Sequence, residues 1–537
     1  MMNEQRIALA RTIMVQGTAS DVGKSIITTA LCRILSEDGF RVAPFKSQNM
    51  SLNSYVTWDG KEIGRAQGMQ ADACGILATT DMNPILLKPK KDMVSQVIIH
   101  GKPLGDYEAK VYREQVLAEA KEIVTASLAN LRAAYDIVVL EGAGSPAEIN
   151  LKDRDIVNMQ AAAWADAPVI LVADIDRGGM FASIVGTLEL LEPHERDRIC
   201  GFIVNKFRGD VSLLTPGLDW LEAKTGKPVL GVVPYLPELG LEDEDSLSLD
   251  SKLRAEPTMN NGKNENRIDL AVIRLPHISN FSDIDPFYKE ADVGIRYVST
   301  PQQWGAPDAV IIPGSKNVVD DLLYLRESGL ADLLERYRLS GGHVVGICGG
   351  YEMLGQRLLD PFHTESDLDM SDGLGWFPFN VVFAAEKRTV RVEGRANIPG
   401  LGGEYQVEGY EIHMGSVDLT ASDHLEKIDG ELDHSHSWTR PFRLRAFEEE
   451  NAAAEGISSS DGHVWGTFLH GVMHNDELRR AWVNRLREAR GWKPLPITVH
   501  IRDQREQSFR RLSEHVRSHV DIKRLKVAMG ISEGSPS

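Results

Sequence analysis

Thr12-Ile-Met-Val-Gln16, followed by Gly17-Thr18-Ala19-Ser20-Asp21-Val22-Gly23-Lys24-Ser25 and the apolar-periodic stretch Ile26–Leu35, decides the fold of the first half of the chain. A short run rich in β-branched residues, then a glycine-rich turn, then helical periodicity is a strand entering a helix through a loop. In that setting backbone N–H groups and the helix N-terminus hold phosphate, Lys24 adds charge, and Ser25 offers an oxygen to magnesium. Five residues separate Gly17 from Gly23, one more than in the usual phosphate-loop pattern. An ordinary glycine turn is the bland alternative, but it gives no reason for Gly-Lys-Ser at this point.

Outward from that loop, Arg41–Phe45, Asp136–Leu140, Pro168–Ala173, Ile199–Val204 and Pro228–Val233 also read as strands between longer helical patterns. This is the signature of a parallel sheet covered by helices. Ligands of such sheets sit at the carboxyl ends of the strands. Glu141, closing Asp136-Ile-Val-Val-Leu140, is therefore a candidate metal ligand or acceptor for a metal-bound water, and Lys46, just past the second strand, can face phosphate or be solvated. Asp174 and Asp176 stand at another strand end, where each is as well suited to capping a helix. Asn205 follows a further strand and is a candidate for reading a nucleotide base, with a turn amide as the alternative.

At 537 residues the chain is several times the usual domain length of roughly 100–150, so more than one core is expected. Lys plus Arg number 59 against 78 Asp plus Glu, and the resulting charge of -19 disfavours a general nucleic-acid surface. Four scattered cysteines form neither a disulfide framework nor a paired zinc site. With no apolar run of the roughly 18 residues needed to span a bilayer and no signal-peptide layout, the expectation is a soluble, cytoplasmic protein. The polar, Asn-rich stretch before Ile268 reads as a linker, which gives segments 1–250, 251–267, 268–491 and a charged tail, 492–537.

The second segment has its own alternating series, Ile268–Ile273, Ala309–Ile312 and His343–Ile347, before an antiparallel region around Gly375–Val417. Its chemistry centres on His343-Val-Val-Gly346-Ile347-Cys348-Gly349-Gly350-Tyr351, a strand running through a Gly-x-Cys-x-Gly turn into a helix. This has the form of a nucleophile elbow with cysteine in the serine position. A helix N-terminus favours the thiolate, and the N–H of Gly349 can support an oxyanion. Gly314, in Pro313-Gly-Ser-Lys316 after another strand, can complete that support. His470, in Trp465-Gly-Thr-Phe-Leu-His470-Gly, is the candidate base, and His413 is its rival. Cys32, Cys74 and Cys200 lack such a setting and default to core.

Together these residues resemble the cobyric acid synthase family across nearly the whole chain. The resemblance is carried by Gly17–Ser25, Lys46–Asn53, Glu62–Gln67, Asn83–Pro89, Asp174–Gly179 and Asn205–Asp210, then by Leu275–Pro286, Pro313–Lys316, Gly346–Gly350 and Gly466–Gly471. It implies an α/β fold with an N-terminal dethiobiotin-synthetase-like P-loop domain and a C-terminal class I glutamine amidotransferase domain. It also implies ATP- and glutamine-dependent amidation of the b, d, e and g carboxylates of adenosylcobyrinic acid a,c-diamide, with Mg2+. The site residues it implies are Cys348 and His470 for catalysis, Gly314 and Gly349 for the oxyanion, Gly17, Thr18, Gly23, Lys24, Ser25, Lys46 and Asn205 for ATP, and Ser25 and Glu141 for the metal. The expected partners are a corrinoid, glutamine and ATP, with no nucleic acid and no membrane. Two alternatives are a cobyrinic acid a,c-diamide synthase, against which Lys46–Asn53 argues, and a non-enzymatic partitioning-type P-loop ATPase switch, which leaves the Cys348 turn unexplained. Two departures stand out. Val472 occupies the place, two residues after the histidine, where class I amidotransferases often carry the orienting acid, so no third catalytic member is assigned. Glu352 stands where a glutamine is common.

Overall fold

The computed structural model describes residues 9–91, 93–237, 239–241, 267–419, 438–447 and 449–532. It divides into two compact units, Met1–Glu244 with Arg502–Ser537, and Asp245–Ile501. Apart from residue 267, the expected linker 251–267 lies outside the described residues.

The first unit is built on six parallel strands. These are β1 (Arg11–Gly17), β2 (Val42–Phe45), β9 (Ile137–Glu141), β10 (Val169–Asp174), β11 (Ile199–Phe207) and β12 (Val229–Pro234), in the order β12-β11-β10-β1-β9-β2. Between β2 and β9 the chain adds β3 (Gln48–Met50), β4 (Ser54–Val56), β5 (Glu62–Gly64), β6 (Ile85–Lys91), β7 (Val94–Ile99) and β8 (Lys102–Glu108). Of these, β3-β6-β7-β8 form a small sheet and β4-β5 a hairpin. Alternation along β1 sorts its side chains: Ile13 and Val15 pack on one face with Ile27, Leu31 and Ile34 of α1 (Lys24–Glu37), whereas Met14 packs on the other with Ala120, Val124 and Leu128. With both faces covered, the sheet is doubly wound. The chain leaves β1 for strands on either side of it, which opens a ligand crevice at the carboxyl end of β1.

The charged tail contains helices that pack into the first unit. Residues Ile501–His519 and Ile522–Ala528 are helices whose Leu512, Val516 and Leu525 join Ile13, Val15 and Leu31 in one core. Phe509, Leu512 and Val516 recur at helical spacing and are buried, each worth about 1.5–3 kcal/mol. That gain holds an otherwise polar segment in place.

The second unit carries seven strands in the order β14-β13-β15-β16-β25-β24-β21. Of these, β13 (Ile268–Ile273), β14 (Val293–Val298), β15 (Ala309–Ile312), β16 (His343–Ile347) and β25 (Val464–Thr467) are parallel, while β24 (Ile457–Ser459) pairs antiparallel with β25 and β21 (Trp438–Thr439) antiparallel with β24. A second sheet holds β17 (Arg357–Leu359), β18 (Met370–Asp372), β19 (Phe379–Ala396), β20 (Tyr405–Leu419), β22 (Phe442–Ala446) and β23 (Ala453–Glu455). The long antiparallel pair β19 and β20 corresponds to the region expected around Gly375–Val417.

Candidate active sites

In the first unit the polar residues gather at the carboxyl ends of β1, β2 and β9. Gly23 has φ 99°, and a Cβ there would lie 2.2 Å from Asn205 Nδ2, so both its backbone and its surroundings require glycine. Asn205 Nδ2 donates to the Val22 carbonyl at 2.9 Å and so braces the loop from β11. The N–H of Thr18 is taken by the Val172 carbonyl at 3.0 Å, so its backbone serves the sheet rather than a phosphate. Lys24 Nζ donates to Ala19 O at 2.8 Å and Gly144 O at 3.0 Å, which keeps the ammonium inside the loop.

Glu141 joins the elements together. Its Oε1 accepts from Ser25 Oγ at 2.8 Å and Lys46 Nζ at 3.0 Å, and its Oε2 accepts from Gln70 Nε2 at 2.5 Å. Gln70 lies on α2 (Arg65–Cys74) and was not anticipated from the sequence. Asp174 is paired to Lys206 at 2.9 Å and Asp176 to Arg208 at 3.1 Å. Neither caps a helix: the following helix, Met180–Leu190, starts after Gly179 with no side-chain cap.

In the second unit β16 delivers Cys348 at φ 51° and ψ -110°, followed at once by α3 (Gly349–Glu352). Such a conformation is rare for a residue with a side chain and marks a strained elbow. The turn closes only because its flanks are small: a Cβ on Gly350 would lie 2.0 Å from the Ile312 carbonyl. Cys348 N donates to Thr467 O at 2.8 Å, and Ile347 pairs in register with Thr467, so β25 releases His470 three residues beyond that pairing. A Cβ on Gly314 would lie 3.3 Å from His470 Cε1, and one on Gly349 2.8 Å from Ser315 N. The cysteine turn, the Gly314 turn and the histidine therefore converge at neighbouring strand ends.

His470 is fully buried, and its Nδ1 lies 2.7 Å from Asp283 Oδ2. The other Asp283 oxygen accepts the Gly471 N–H at 2.7 Å, so the carboxylate fixes both the ring and the backbone that carries it. A carboxylate at Nδ1 places the ring proton there and leaves Nε2 as the basic nitrogen. Asn280 Nδ2 lies 3.3 Å from that Nε2, and the Tyr410 ring stacks on the imidazole with centroids 5.1 Å apart. Asp283 is thus the carboxylate at His470, a place that the sequence leaves unassigned. It comes from the turn Phe281–Lys289, after β13, inside the Leu275–Pro286 segment already singled out. The rival His413 instead directs Nδ1 at the Gly415 carbonyl, 2.6 Å away, and stacks on Phe468 with centroids 3.7 Å apart.

Buried carboxylates surround these turns. Glu352, one helical turn after Cys348, is pushed up to about 8 by burial and then by Glu365, against the pull of the Gly415 N–H and Lys316. Glu455 is pushed up to about 7 by burial and then by Glu411. It accepts from Thr467 Oγ1 at 2.5 Å and Phe468 N at 2.8 Å, gripping the strand end that leads to His470.

Two family profiles match the chain. Residues 13–249 match the CobQ/CobB/MinD/ParA nucleotide binding domain, and residues 269–478 match the CobB/CobQ-like glutamine amidotransferase domain. Among curated relatives, the cobyric acid synthase of Desulforamulus reducens is 49% identical over 536 residues, covering 99% of this chain and 100% of the relative. That of Geobacillus sp. (strain WCH70) is 49% identical over 97% of this chain and 98% of its own length. That of Nostoc punctiforme is 48% identical over 95% of this chain and 99% of its own length.

Proposed function

Because the chain belongs to the cobyric acid synthase family of glutamine-dependent amidoligases, we propose that it amidates the b, d, e and g carboxylates of adenosylcobyrinic acid a,c-diamide at the first unit, with ammonia released from glutamine at the second. The observation that carries this reading is the pairing, in one chain, of a phosphate loop joined to Glu141 with a strained cysteine turn beside an Asp283–His470 pair.

At the first unit the difficulty is the leaving group, because a carboxylate does not surrender oxide to ammonia. A carboxylate oxygen attacks the γ-phosphorus of ATP, ADP departs, and the acyl phosphate then accepts ammonia while phosphate leaves. Lys24 and the loop N–H groups hold the transferring phosphoryl group, and Lys46 balances the charge of Glu141. The Ser25 hydroxyl and the Glu141 carboxylate are two hard oxygens 2.8 Å apart, a donor set that fits Mg2+, which binds through few protein oxygens plus phosphate and water. When bound, the ion offsets charge on the phosphates.

At the second unit Cys348 Sγ attacks the carboxamide carbon of glutamine as His470 Nε2 takes the thiol proton, and the same nitrogen returns a proton to the departing ammonia. The oxyanion sits against the N–H groups of the Gly349 and Gly314 turns. Water then hydrolyses the thioester to glutamate. Asp283 acts through His470, holding the tautomer that leaves Nε2 basic.

The test is incubation with Mg-ATP, glutamine and the a,c-diamide carrying 18O in its free carboxylates, followed by mass analysis. The expected result is four successive conversions of carboxylate to amide, each transferring one 18O to phosphate. Absence of amidation overturns the substrate, and amidation without 18O in phosphate overturns the acyl phosphate.

A further inference from the structure

Of two segments that carry the family resemblance, Lys46–Asn53 and Glu62–Gln67, only Lys46 takes part in the chemistry of the phosphate loop through its pairing with Glu141. The helix α2, which begins within the second of them, presents Gln67 and Gln70, three residues apart and so on one face. Both are fully buried. Gln70 spends Nε2 on Glu141, and Gln67 uses Oε1 to accept from Asn49 Nδ2 at 3.0 Å. The opposite ends, Gln67 Nε2 and Gln70 Oε1, have no hydrogen-bond partner among the described residues. The surroundings are built closely around this arrangement: a Cβ on Gly64 would lie 2.4 Å from Asn49 Nδ2 and 2.9 Å from Gln67 Oε1.

A buried polar atom without a partner is costly, and this helix face leaves one donor and one acceptor open, the two halves of a complementary pair. The group that matches it accepts one hydrogen bond through oxygen and donates one through N–H. That describes a carboxyl group at the moment it becomes a primary amide. The site also has the required neighbours, since Glu141, which Gln70 holds, is joined to Ser25 of the phosphate loop and to Lys46.

We propose that Gln67 and Gln70 bind the carboxyl group under amidation, Gln67 Nε2 donating to the oxygen that remains and Gln70 Oε1 accepting an N–H of the incoming nitrogen. This assignment deepens the amidoligase reading and rests on it. In the step served, the ammonia lone pair forms the C–N bond, the C–O bond to phosphate breaks with its electrons leaving on phosphate, and the surplus N–H proton goes to that phosphate. Carboxamides suit the task because they add no charge of their own.

The experiment uses the full chain with Mg-ATP, the a,c-diamide and ammonium chloride, so that glutamine hydrolysis plays no part. Gln67→Glu retains an oxygen for Asn49 but sets a negative charge against the substrate carboxylate. Gln67→Met removes the donor and keeps the volume. Both variants are expected to raise KM for the corrinoid by about tenfold or more while KM for ATP stays within about twofold. Gln70→Met is expected to raise KM for ammonium by a similar factor. Equilibrium dialysis of the coloured corrinoid, in variants with wild-type circular dichroism, reads the same loss without turnover. Unchanged corrinoid KM and binding in both Gln67 variants overturns the assignment, as does a parallel rise in KM for ATP. A wild-type enzyme inert toward the a,c-diamide overturns the amidoligase substrate on which the assignment rests, whereas an active wild type with indifferent Gln67 variants overturns the assignment alone.

Discussion

Asp283→Asn keeps the size of the side chain that holds His470 but changes what it offers to Nδ1. In the native protein a carboxylate oxygen sits 2.7 Å from Nδ1 and a second accepts the Gly471 N–H, both within a buried turn. A hydrogen bond to a buried charged group is worth about 1.5–3 kcal/mol, which alone corresponds to about 10- to 150-fold in rate. The amide can also turn its N–H2 toward Nδ1, which selects the tautomer with the proton on Nε2 and removes the base that Cys348 requires. Reversing the tautomer in this way raises the expected loss to about 1,000-fold or more in kcat for the glutamine-driven reaction. Asp283→Ala leaves the tautomer free and should lose less than Asp283→Asn. The assay compares amidation of the a,c-diamide driven by glutamine with that driven by ammonium chloride, and the second rate should stay within about twofold of wild type. Glutamine-driven turnover within about threefold of wild type in a folded Asp283→Asn protein would refute the positioning role.

Cys348→Ala should abolish glutamine-driven synthesis and keep ammonium-driven synthesis, and loss of both in a folded variant contradicts its assignment to ammonia supply. Lys24→Ala should depress both reactions, and undiminished ammonium-driven turnover removes the lysine from phosphate handling. Glu352 and Glu455 have folded-state values above those of an unfolded chain, so between about pH 4.5 and 8 the folded protein holds more protons and stability declines as pH rises. Glu352→Gln removes one of these groups. Its melting temperature relative to wild type should therefore be higher at pH 8.5 than at pH 6, and a constant difference contradicts the proposed burial of an ionising Glu352.

Both glycine turns are legible in the sequence because each is local: a short apolar strand, a glycine turn and a helix start lie within a dozen residues, and that order alone places Lys24, Ser25 and Cys348 at sheet edges. Asp283 is a different kind of feature. It stands 187 residues before His470, and only the side-by-side parallel strands of the sheet bring the two together. Its one local signal is its place in the turn after β13, at the same end of the sheet as Cys348 and His470. Gln70 is hidden for a related reason, since a glutamine in a helix reads as solvated until the fold buries it against Glu141. The small sheet β3-β6-β7-β8 escapes a reading by alternation because its polar positions include the buried Lys88, paired with Glu62 at 2.7 Å. The last helices read as a tail because charge outnumbers the Phe509, Leu512 and Val516 stripe that anchors them.

The central claim is that one chain takes nitrogen from glutamine at Cys348 and delivers it to carboxylates activated beside Lys24. Glutamine labelled with 15N in its side-chain amide tests this most directly, supplied with Mg-ATP and the a,c-diamide and read by mass analysis of the corrinoid. The account predicts four 15N atoms in the product from wild type and none from Cys348→Ala. A corrinoid that leaves wild type without label, or one labelled equally by Cys348→Ala, contradicts it.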